Sequence, residues 1–443
     1  MIEMKNSGVD WIGEIPAHWE VKRLKDISYL YGGLTGKAGE DFTPEQEKGT
    51  KPYIPFTNVL NNYVINPQKM NYVYISEGEV QNRVKRNDLI FLMSSEDYES
   101  IAKSAVVLDE LGEVYLNSFC RGLRFTDKRI EPKFVNYLLS ATPCRDALRF
   151  EARGFTRINI KIEKIASQFI FYPPLAEQQA IADYLDEKTA EIDAQVALLE
   201  KKRESYNKLK RSLISNVVSR GLTPTVTLKD SGNDWIGEIP VHWQIKRIKD
   251  VAELGSGTTP KSTNEKYYDD GIHPWLITGD VQNRLIKSND NFITDLALAE
   301  IPNLKLYPSK TVLLAMYGGG TIGNVGLMTY PAYINQACCA MIPKPIVFEK
   351  YLFYYLQTKQ DRIISTGVGG TQINLSQNKI SAYPIIIPPL EEQQAIADYL
   401  DKKTAEIDEQ IDLIDKKIDT YKKLNQSLID EVVTGKRKIY YRV

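Results

Sequence analysis

Two short sequences contain side chains suited to reading the edges of base pairs. Residues 154–160 are GFTRINI and residues 369–375 are GGTQINL, so that Arg157 and Gln372 occupy equivalent positions. In direct major-groove readout, arginine pairs with guanine and glutamine with adenine, each through two hydrogen bonds. The pattern therefore predicts DNA contacts at both places. The candidate residues here are Thr156, Arg157, Asn159, Thr371, Gln372 and Asn374.

The two asparagines allow a second interpretation. Asn159 and Asn374 could each cap a short helix, and Asn374 with Gln377 resembles a capping box. A capped helix start also presents backbone N–H groups that can bind a phosphate. Capping and DNA contact are therefore compatible, and the sequence leaves both open.

A glycine-rich sequence, GGGTIG at residues 318–323, fits the G-x-G-x-x-G pattern of dinucleotide-binding turns. Such a turn opens a helix and is followed by an acidic residue about 20 positions later. Here the following residues are strand-like, Pro331 would interrupt a helix, and Glu349 is the next acidic residue. We therefore expect a tight turn, or a close approach of the backbone to a partner. Gly319 and Gly320 are added to the candidate DNA-binding residues.

Residues able to perform catalysis or bind metal are scarce. His18-Trp19 and His242-Trp243 lie beside proline and isoleucine, so we expect them to pack rather than to react. The four cysteines form no Cys-x-x-Cys pair and there are three histidines, so a zinc site is not expected. Motifs of serine hydrolases and phosphate-binding loops are missing from the sequence. We predict no catalytic residues and no metal ligands.

The chain contains two internal repeats that must position these candidates. Residues 7–26 and 231–250 share fifteen of twenty residues, at an offset of 224. Residues 173–193 and 388–408 differ at two positions, at an offset of 215. The segments between the repeats are much less alike. The sequence therefore alternates a repeated framework with variable blocks.

Each second repeat begins with a double proline and continues as a helix-like pattern for about 45 residues. The apolar spacing is close to a heptad, which predicts a seam that needs a partner helix. The predicted seam residues of the first helix are Ile192, Val196, Leu199, Arg203, Tyr206, Leu209 and Leu213. Those of the second are Ile407, Ile411, Ile414, Ile418, Tyr421, Leu424 and Leu428.

Charge favours antiparallel pairing of these helices. Residues 177–193 contain six acidic residues and one basic residue, whereas residues 201–220 contain seven basic residues and one acidic residue. The second helix is also acidic early and mildly basic late. Antiparallel pairing sets acidic starts beside basic ends and gives the pair a pseudo-twofold axis. A charge pattern that is merely solvated is the alternative.

Both variable blocks mix strand-like and helix-like stretches, which predicts an α+β fold. Strands are expected at 311–317 and 381–388, and core helices at 134–140 and 351–357. Two further pairs of stretches resemble each other between the blocks: 52–59 with 274–281, and 88–95 with 311–318. The blocks are therefore expected to share one fold with different surfaces.

Composition limits the class of protein. The chain has 443 residues and a formal net charge of -1, so any DNA-binding surface must be local or shared with a partner. No apolar run is long enough to span a membrane, and the N-terminus has no signal-peptide pattern. Cysteines of this kind fit a reducing cytoplasm.

With these motifs established, the chain resembles the specificity subunit of type I restriction-modification systems. The resemblance covers about residues 8–435 and rests on the repeated DWIGEIPxHW, PPLxEQQAIADYLD and GxTxIN sequences. It implies two globular mixed α/β target recognition domains, each reading half of a split DNA target, separated by a pair of long antiparallel coiled-coil helices. This family does not fix base-reading residues by motif, so the contacts named above rest on side-chain chemistry.

The resemblance also implies partners and a division of labour. Double-stranded DNA and two methyltransferase subunits are expected partners, joined by restriction/translocase subunits in complete systems; no membrane partner is expected. The specificity subunit itself is not an enzyme. S-adenosylmethionine, ATP and magnesium would be bound by the partner subunits.

The predicted domains are residues 1–172, 173–222, 223–387 and 388–443, which correspond to first block, central helix, second block and distal helix. A coiled-coil adaptor whose end domains bind proteins is the alternative function, since it predicts the same helices. A nicotinamide enzyme is a distant third. DNA footprinting would distinguish the first two, and cofactor titration would test the last.

Overall fold

The computed structural model describes residues 3–233, 235–367 and 373–439. The chain divides into two compact units. Unit 1 comprises Met1–Glu200 and Lys416–Val443, and unit 2 comprises Lys201–Asp415. Each unit mixes helices with β-sheets around its own buried apolar clusters, as an α+β chain should.

Unit 1 contains two four-stranded sheets, ordered β10-β8-β12-β4 and β11-β6-β7-β5. Its strands are β1 (Met4–Asn6), β2 (Glu14–Pro16), β3 (Glu20–Arg23), β4 (Ser28–Gly32), β5 (Phe42–Thr43), β6 (Thr50–Ile54), β7 (Asn71–Tyr74), β8 (Leu89–Leu92), β9 (Ser94–Ser95), β10 (Ser104–Val106), β11 (Tyr115–Leu116), β12 (Cys120–Phe125), β13 (Ile158–Asn159) and β14 (Phe169–Tyr172). Its shorter helices are α1 (Leu24–Ile27), α2 (Phe56–Asn61), α3 (Pro132–Ser140), α4 (Thr142–Glu151) and α5 (Ile162–Ala166).

The first long helix, α6, runs from Leu175 to Arg220, immediately after the double proline. Unit 2 then contains β15 (Leu228–Asp230), β16 (Glu238–Pro240), β17 (Gln244–Arg247), β18 (Ala252–Ser256), β19 (His273–Leu276), β20 (Arg284–Ile286), β21 (Phe292–Ile293), β22 (Val312–Ala315), β23 (Val325–Met328), β24 (Tyr333–Ile334), β25 (Cys338–Pro343) and β26 (Pro384–Ile387). Its shorter helices are α7 (Ile248–Val251), α8 (Asp295–Glu300), α9 (Glu349–Thr358), α10 (Gln360–Ser365) and α11 (Gln377–Ala382). The second long helix, α12, is Leu390–Val433.

Unit 2 repeats the plan of unit 1 with different sheets. Its larger sheet has the order β18-β25-β22-β23-β20 and its smaller sheet the order β21-β19-β24. The predicted core helices are confirmed as α3 and α9, and the strand predicted near 311–317 is β22, whose four residues are all buried. The stretch predicted as a strand at 381–388 is a strand only from Pro384, since α11 continues to Ala382.

The repeated His-Trp pairs attach the framework to the starts of the long helices. In unit 1, Glu177 accepts hydrogen bonds from Trp19 Nε1 at 3.4 Å and lies 2.8 Å from His18 Nε2. In unit 2, Glu392 makes the same two contacts with Trp243 and His242, at 3.0 and 2.9 Å. Both tryptophans are almost completely buried. The predicted packing role is therefore confirmed for the two tryptophans, whereas the side chains of His18 and His242 are exposed and contact the glutamates.

One fully buried glutamine lies beside each of these glutamates. Gln178 accepts from the backbone N–H of Glu131 at 2.8 Å and donates to the carbonyl oxygens of Arg129 (2.9 Å) and Pro173 (2.8 Å). It thereby joins the start of α6 to the loop that enters α3. A buried amide with three partners is satisfied and fixes the geometry of all the segments it contacts.

Gln393 makes the equivalent set in unit 2. It accepts from the N–H of Phe348 at 2.8 Å and donates to the carbonyls of Ile346 (3.0 Å) and Pro388 (2.8 Å). The start of α12 is thus joined to the loop that enters α9. The repeat of PPLxEQQ is explained by this contact, since each unit joins the start of its long helix to the loop before its core helix in the same way.

A further repeated contact lies about three turns from the start of each long helix. Asp186 accepts from the hydroxyl of Tyr137 at 2.8 Å and from Lys133 at 2.5 Å. Asp401 accepts from Tyr354 at 2.7 Å and from Lys350. Burial raises the pKa of both tyrosines, so each hydroxyl remains a donor. The core helices α3 and α9 are therefore held against the long helices by identical polar contacts.

The long helices are antiparallel within each unit, as predicted. In unit 2, Lys210 and Arg203 pair with Asp408 (2.6 Å) and Asp415 (2.9 Å), so residue numbers rise on α6 as they fall on α12. In unit 1, the start of α6 binds Trp19, and the end of α12 reaches the same ring: a Cβ on Gly435 would lie 3.4 Å from it. These pairs join basic residues in the second half of α6 to acidic residues near the middle of α12, the charge arrangement that antiparallel pairing predicts.

The seam follows a stricter heptad than the apolar residues alone predict. Leu209 and Leu424 were predicted seam residues, but they are 53% and 52% exposed, so this part of the prediction is wrong. Lys210 and Asn425 lie on the less exposed face instead. A heptad seam advances by alternating steps of three and four residues, so the seam position after 206 is 210 and the one after 421 is 425. The spacing therefore determines which residues face the partner helix, even where the residue at that position is polar. Buried seam residues include Ile407, Ile414, Ile418 and Leu428.

We predict that Gln178→Ala loosens the start of α6. The substitution leaves one backbone N–H and two carbonyl groups without their side-chain partner, which costs about 1–3 kcal/mol. Hydrogen–deuterium exchange should become faster in peptides from 129–131 and the first turns of α6, and the melting temperature should fall. Gln179→Ala is the matched control because its side chain is exposed. Equal exchange in both variants would contradict the prediction.

Candidate nucleic-acid interface

The candidate residues of unit 1 lie on a short closed loop. Arg153 and Asn159 exchange two backbone hydrogen bonds of 2.9 Å, which bring the two ends of the loop together. Strand β13 then pairs antiparallel with β9, with Asn159 opposite Ser94. Residues 153–157 are all exposed, so this loop projects its side chains into solvent from a fixed base.

Gly154 makes the loop possible. Its φ is +148°, and an added Cβ would lie 2.1 Å from the carbonyl oxygen of Arg157. No L side chain fits at that distance, so the first copy of the Gly-x-Thr-x-Ile-Asn motif needs Gly154 for the path of its backbone.

Arg157 is held over an aromatic ring. Its guanidinium carbon lies 4.5 Å from the centroid of Phe119, which is 46% exposed. A cation over an aromatic face is attracted by the ring quadrupole, while the edge of the guanidinium remains free for other partners. The side-chain Nδ2 of Asn159 donates to the backbone carbonyl of Arg157 at 3.1 Å, which helps to fix the backbone of that residue.

Phe119 and Asn159 line a cleft of about 390 Å³. Arg121 and Lys161 add positive charge to its lining, and Glu163 is the carboxylate there. Ser94 also lines the cleft; its hydroxyl is buried and has no hydrogen-bond partner among the described residues. The cleft therefore combines cations, an aromatic face and an unpaired hydroxyl, which suits contact with a phosphate backbone and base edges.

Unit 2 builds the same base with different side chains. In unit 1 the N–H of Met93 binds the carbonyl of Phe119 (3.1 Å), and the N–H of Ile160 binds that of Met93 (3.1 Å). In unit 2 the backbone N–H of Met316 donates to the carbonyl oxygen of Ala337 (2.8 Å). The N–H of Leu375 donates to the carbonyl oxygen of Met316 (2.9 Å). Asn374 is therefore the structural equivalent of Asn159.

The match to a known family follows this repeated geometry. A family model described as type I restriction modification DNA specificity domain matches residues 16–204 and again residues 240–418. The chain belongs to this family. Its role is DNA target recognition.

Individual relatives agree with this assignment. The type I restriction enzyme MjaVIII specificity subunit of Methanocaldococcus jannaschii is 25% identical over 434 residues, covering 96% of this chain and 94% of that protein. The HindI specificity subunit of Haemophilus influenzae is 24% identical over 403 residues, covering 84% and 82%. A chain from a solved type I R-M system shares the fold with a TM-score of 0.70 at 16% identity, covering 95% and 99%.

The structure of this specificity subunit family member describes some of the candidate residues and not others. Thr371 and Gln372 lie outside the described residues, whereas Thr156, Arg157 and Asn159 share one loop and Asn374 is exposed. Their contacts with DNA remain predictions. The alternative that the asparagines cap helices is wrong. Helix α5 follows Lys161 without a side-chain cap, and the cap of α11 is Ser376, which accepts from the N–H of Lys379.

The glycine-rich sequence 318–323 forms a turn between antiparallel strands β22 and β23, as expected. Gly320 has φ +87°, and Gly319 has open space where a side chain would begin. No helix follows the turn, so the dinucleotide-binding interpretation is wrong.

The sequence interpretation missed Phe119, Arg121 and Ser94. A weak signal was present, since Asn117-Ser-Phe-Cys120 matches Asn335-Gln-Ala-Cys338 in spacing. In each unit the cysteine N–H binds the asparagine carbonyl, at 3.0 and 3.2 Å. This pair of turns would have marked residue 119 as equivalent to 337.

No cluster of His, Cys, Asp or Glu in residues 3–233, 235–367 and 373–439 is arranged to hold a metal ion. Within the same ranges no helix is long and apolar enough to cross a bilayer. The four cysteine thiols are free and buried, and burial raises the pKa of Cys120 and Cys339 to about 12.

We predict that Arg157→Ala weakens binding to duplex DNA and lowers its salt dependence. Loss of one phosphate contact reduces the slope of log K against log salt concentration by about one unit. Fluorescence anisotropy at several salt concentrations measures both quantities. Lys128→Ala, an exposed cation elsewhere in unit 1, is the control. Unchanged affinity and slope in Arg157→Ala would exclude the residue from the interface.

Proposed function

We propose that this chain reads a DNA target in two unlike halves, one half with each unit. The observation that supports this most directly is the repeated backbone geometry around Met93 and Met316, which carries different side chains. Phe119 in unit 1 is replaced by Ala337 in unit 2, and Arg157 corresponds in sequence to Gln372. In this proposal the two units share one backbone geometry but present different side chains, and so they read two different DNA sequences.

We infer that two methyltransferase subunits bind the long helices. Besides Leu390 at the first position of α12, four leucines of α6 and α12 are exposed, and exposed apolar patches mark protein-binding surfaces. Leu198 (61% exposed) and Leu424 (52%) belong to unit 1, and Leu209 (53%) and Leu413 (45%) belong to unit 2. Each unit thus offers two apolar side chains to one partner.

Catalysis is assigned to those partners. In this proposal the methyltransferase subunits bind S-adenosylmethionine and methylate adenine at the site this chain selects. Where restriction/translocase subunits are present, they use ATP and magnesium. The buried free thiols are compatible with a cytoplasmic location.

We predict that replacing residues 251–387 by the equivalent block of another family member changes one half of the methylated motif only. The reason is that each unit has its own sheets and apolar clusters, so the blocks should read independently. Sequencing of methylated adenines in the host gives the motif before and after replacement. Changes in both halves would contradict independent reading.

Deletion of the gene provides the broader test. Loss of one bipartite methylation motif is expected, and an unchanged set of motifs in a host expressing the partners would refute the proposal. Footprinting of the reconstituted complex addresses the adaptor alternative. A footprint that does not depend on this chain would favour an adaptor that binds only proteins.

A further inference from the structure

Two buried arginine N–H groups in unit 1 have no hydrogen-bond acceptor among the described residues. They are Nη1 of Arg145 and Nε of Arg149, and both arginines line the same cavity. The cavity has a volume of about 370 Å³ and lies between α4, the end of α2 and Gln426 of α12. It is separate in its lining residues from the cleft at Phe119.

Arg145 is fixed in position. The residue is 7% exposed, and its Nη2 donates to the carbonyl oxygens of Glu99 (2.9 Å) and Ile101 (2.7 Å). These bonds hold the guanidinium plane and leave Nη1 as a donor without a partner. Buried polar groups in folded proteins are almost always paired, so such a donor points to a ligand.

The charge around the cavity is positive. Lys103, Arg145 and Arg149 line it, and Glu99 is the carboxylate among the lining residues. Arg149 contacts Glu99 and also Asp146, at 3.2 Å for the latter. Burial, and then the neighbouring Arg149, lowers the pKa of Arg145 to about 10, and burial together with Arg145 lowers the pKa of Lys103. An added anion would relieve this repulsion.

We propose that this cavity binds a small phosphate monoester, with the phosphate on Arg145, Arg149 and Lys103. The lining has three cationic side chains and one carboxylate, so its net charge suits a ligand with two negative charges better than a ligand with one. A phosphate monoester is such a ligand, because it is largely dianionic above a pH of about 6. Guanidinium groups donate to phosphate oxygens with favourable geometry.

The volume indicates that the ligand has an organic part. A cavity of this size lies in the range of about 300–1,000 Å³ that small-molecule ligands occupy. Tyr63 lines the cavity, is 43% exposed and is stacked on Tyr137 at 6.1 Å, so it offers a rigid ring face beside the phosphate position. This inference does not depend on DNA recognition.

Isothermal titration calorimetry of the full chain with inorganic phosphate and with adenosine 5′-monophosphate tests the proposal, with chloride at equal ionic strength as the blank. We expect saturable binding that is tighter for the monoester. Arg149→Gln and Lys103→Gln should each weaken it about tenfold or more, because a charge-assisted hydrogen bond is lost. Lys128→Gln is the control. Arg145→Gln tests the central donor if circular dichroism shows that it folds; the other two variants decide the matter if it does not.

Two results would overturn the proposal. One is the lack of saturation for both probes up to about 10 mM, which is weaker than any useful small-molecule site. The other is displacement of the probe by duplex DNA together with an equal loss of DNA affinity in Arg149→Gln. That outcome would assign the cavity to a phosphate of the DNA backbone.

Discussion

A glutamine side chain buried at the first turn of each long helix holds three chain segments in one arrangement. Gln178 and Gln393 each pair with the entry loop of a core helix and with the carbonyl of the preceding proline. The adjacent glutamate binds the buried tryptophan of the framework. Removal of either partner would leave buried groups unpaired, so these positions tolerate little variation. The variable blocks can differ in sequence because the contacts that attach them to the long helices are the same in both units.

Much of the architecture was predictable because it depends on local rules. Double prolines predicted where the long helices begin, and α6 and α12 start at Leu175 and Leu390. The seam was less predictable at Leu209 and Leu424, because residue type and heptad spacing disagree there. Spacing prevails, since a helix that shifted to bury these leucines would turn its other apolar residues away from the partner.

The candidate site was predictable only in part, because it is assembled from distant segments. The Gly-x-Thr-x-Ile-Asn motif identified the loop, and the close approach at Gly154 explains why its first copy begins with glycine. Phe119 could not be inferred from it, since a backbone bond to Met93 brings the ring beneath Arg157 across 38 residues of sequence. The asparagine caps were mispredicted because the chain continues past each asparagine before a helix begins, so that the N-cap positions are Lys161 and Ser376.

The closure of the 153–159 loop has an evolutionary consequence. Its path is set by two backbone hydrogen bonds and by the missing side chain of Gly154, and none of these depends on which residues occupy 155–157. Mutation at those three positions can therefore change what the loop contacts without changing where it lies. Because the backbone path does not depend on these side chains, a binding loop of this kind can evolve readily. Substitutions can change its binding preference while the fold retains its stability.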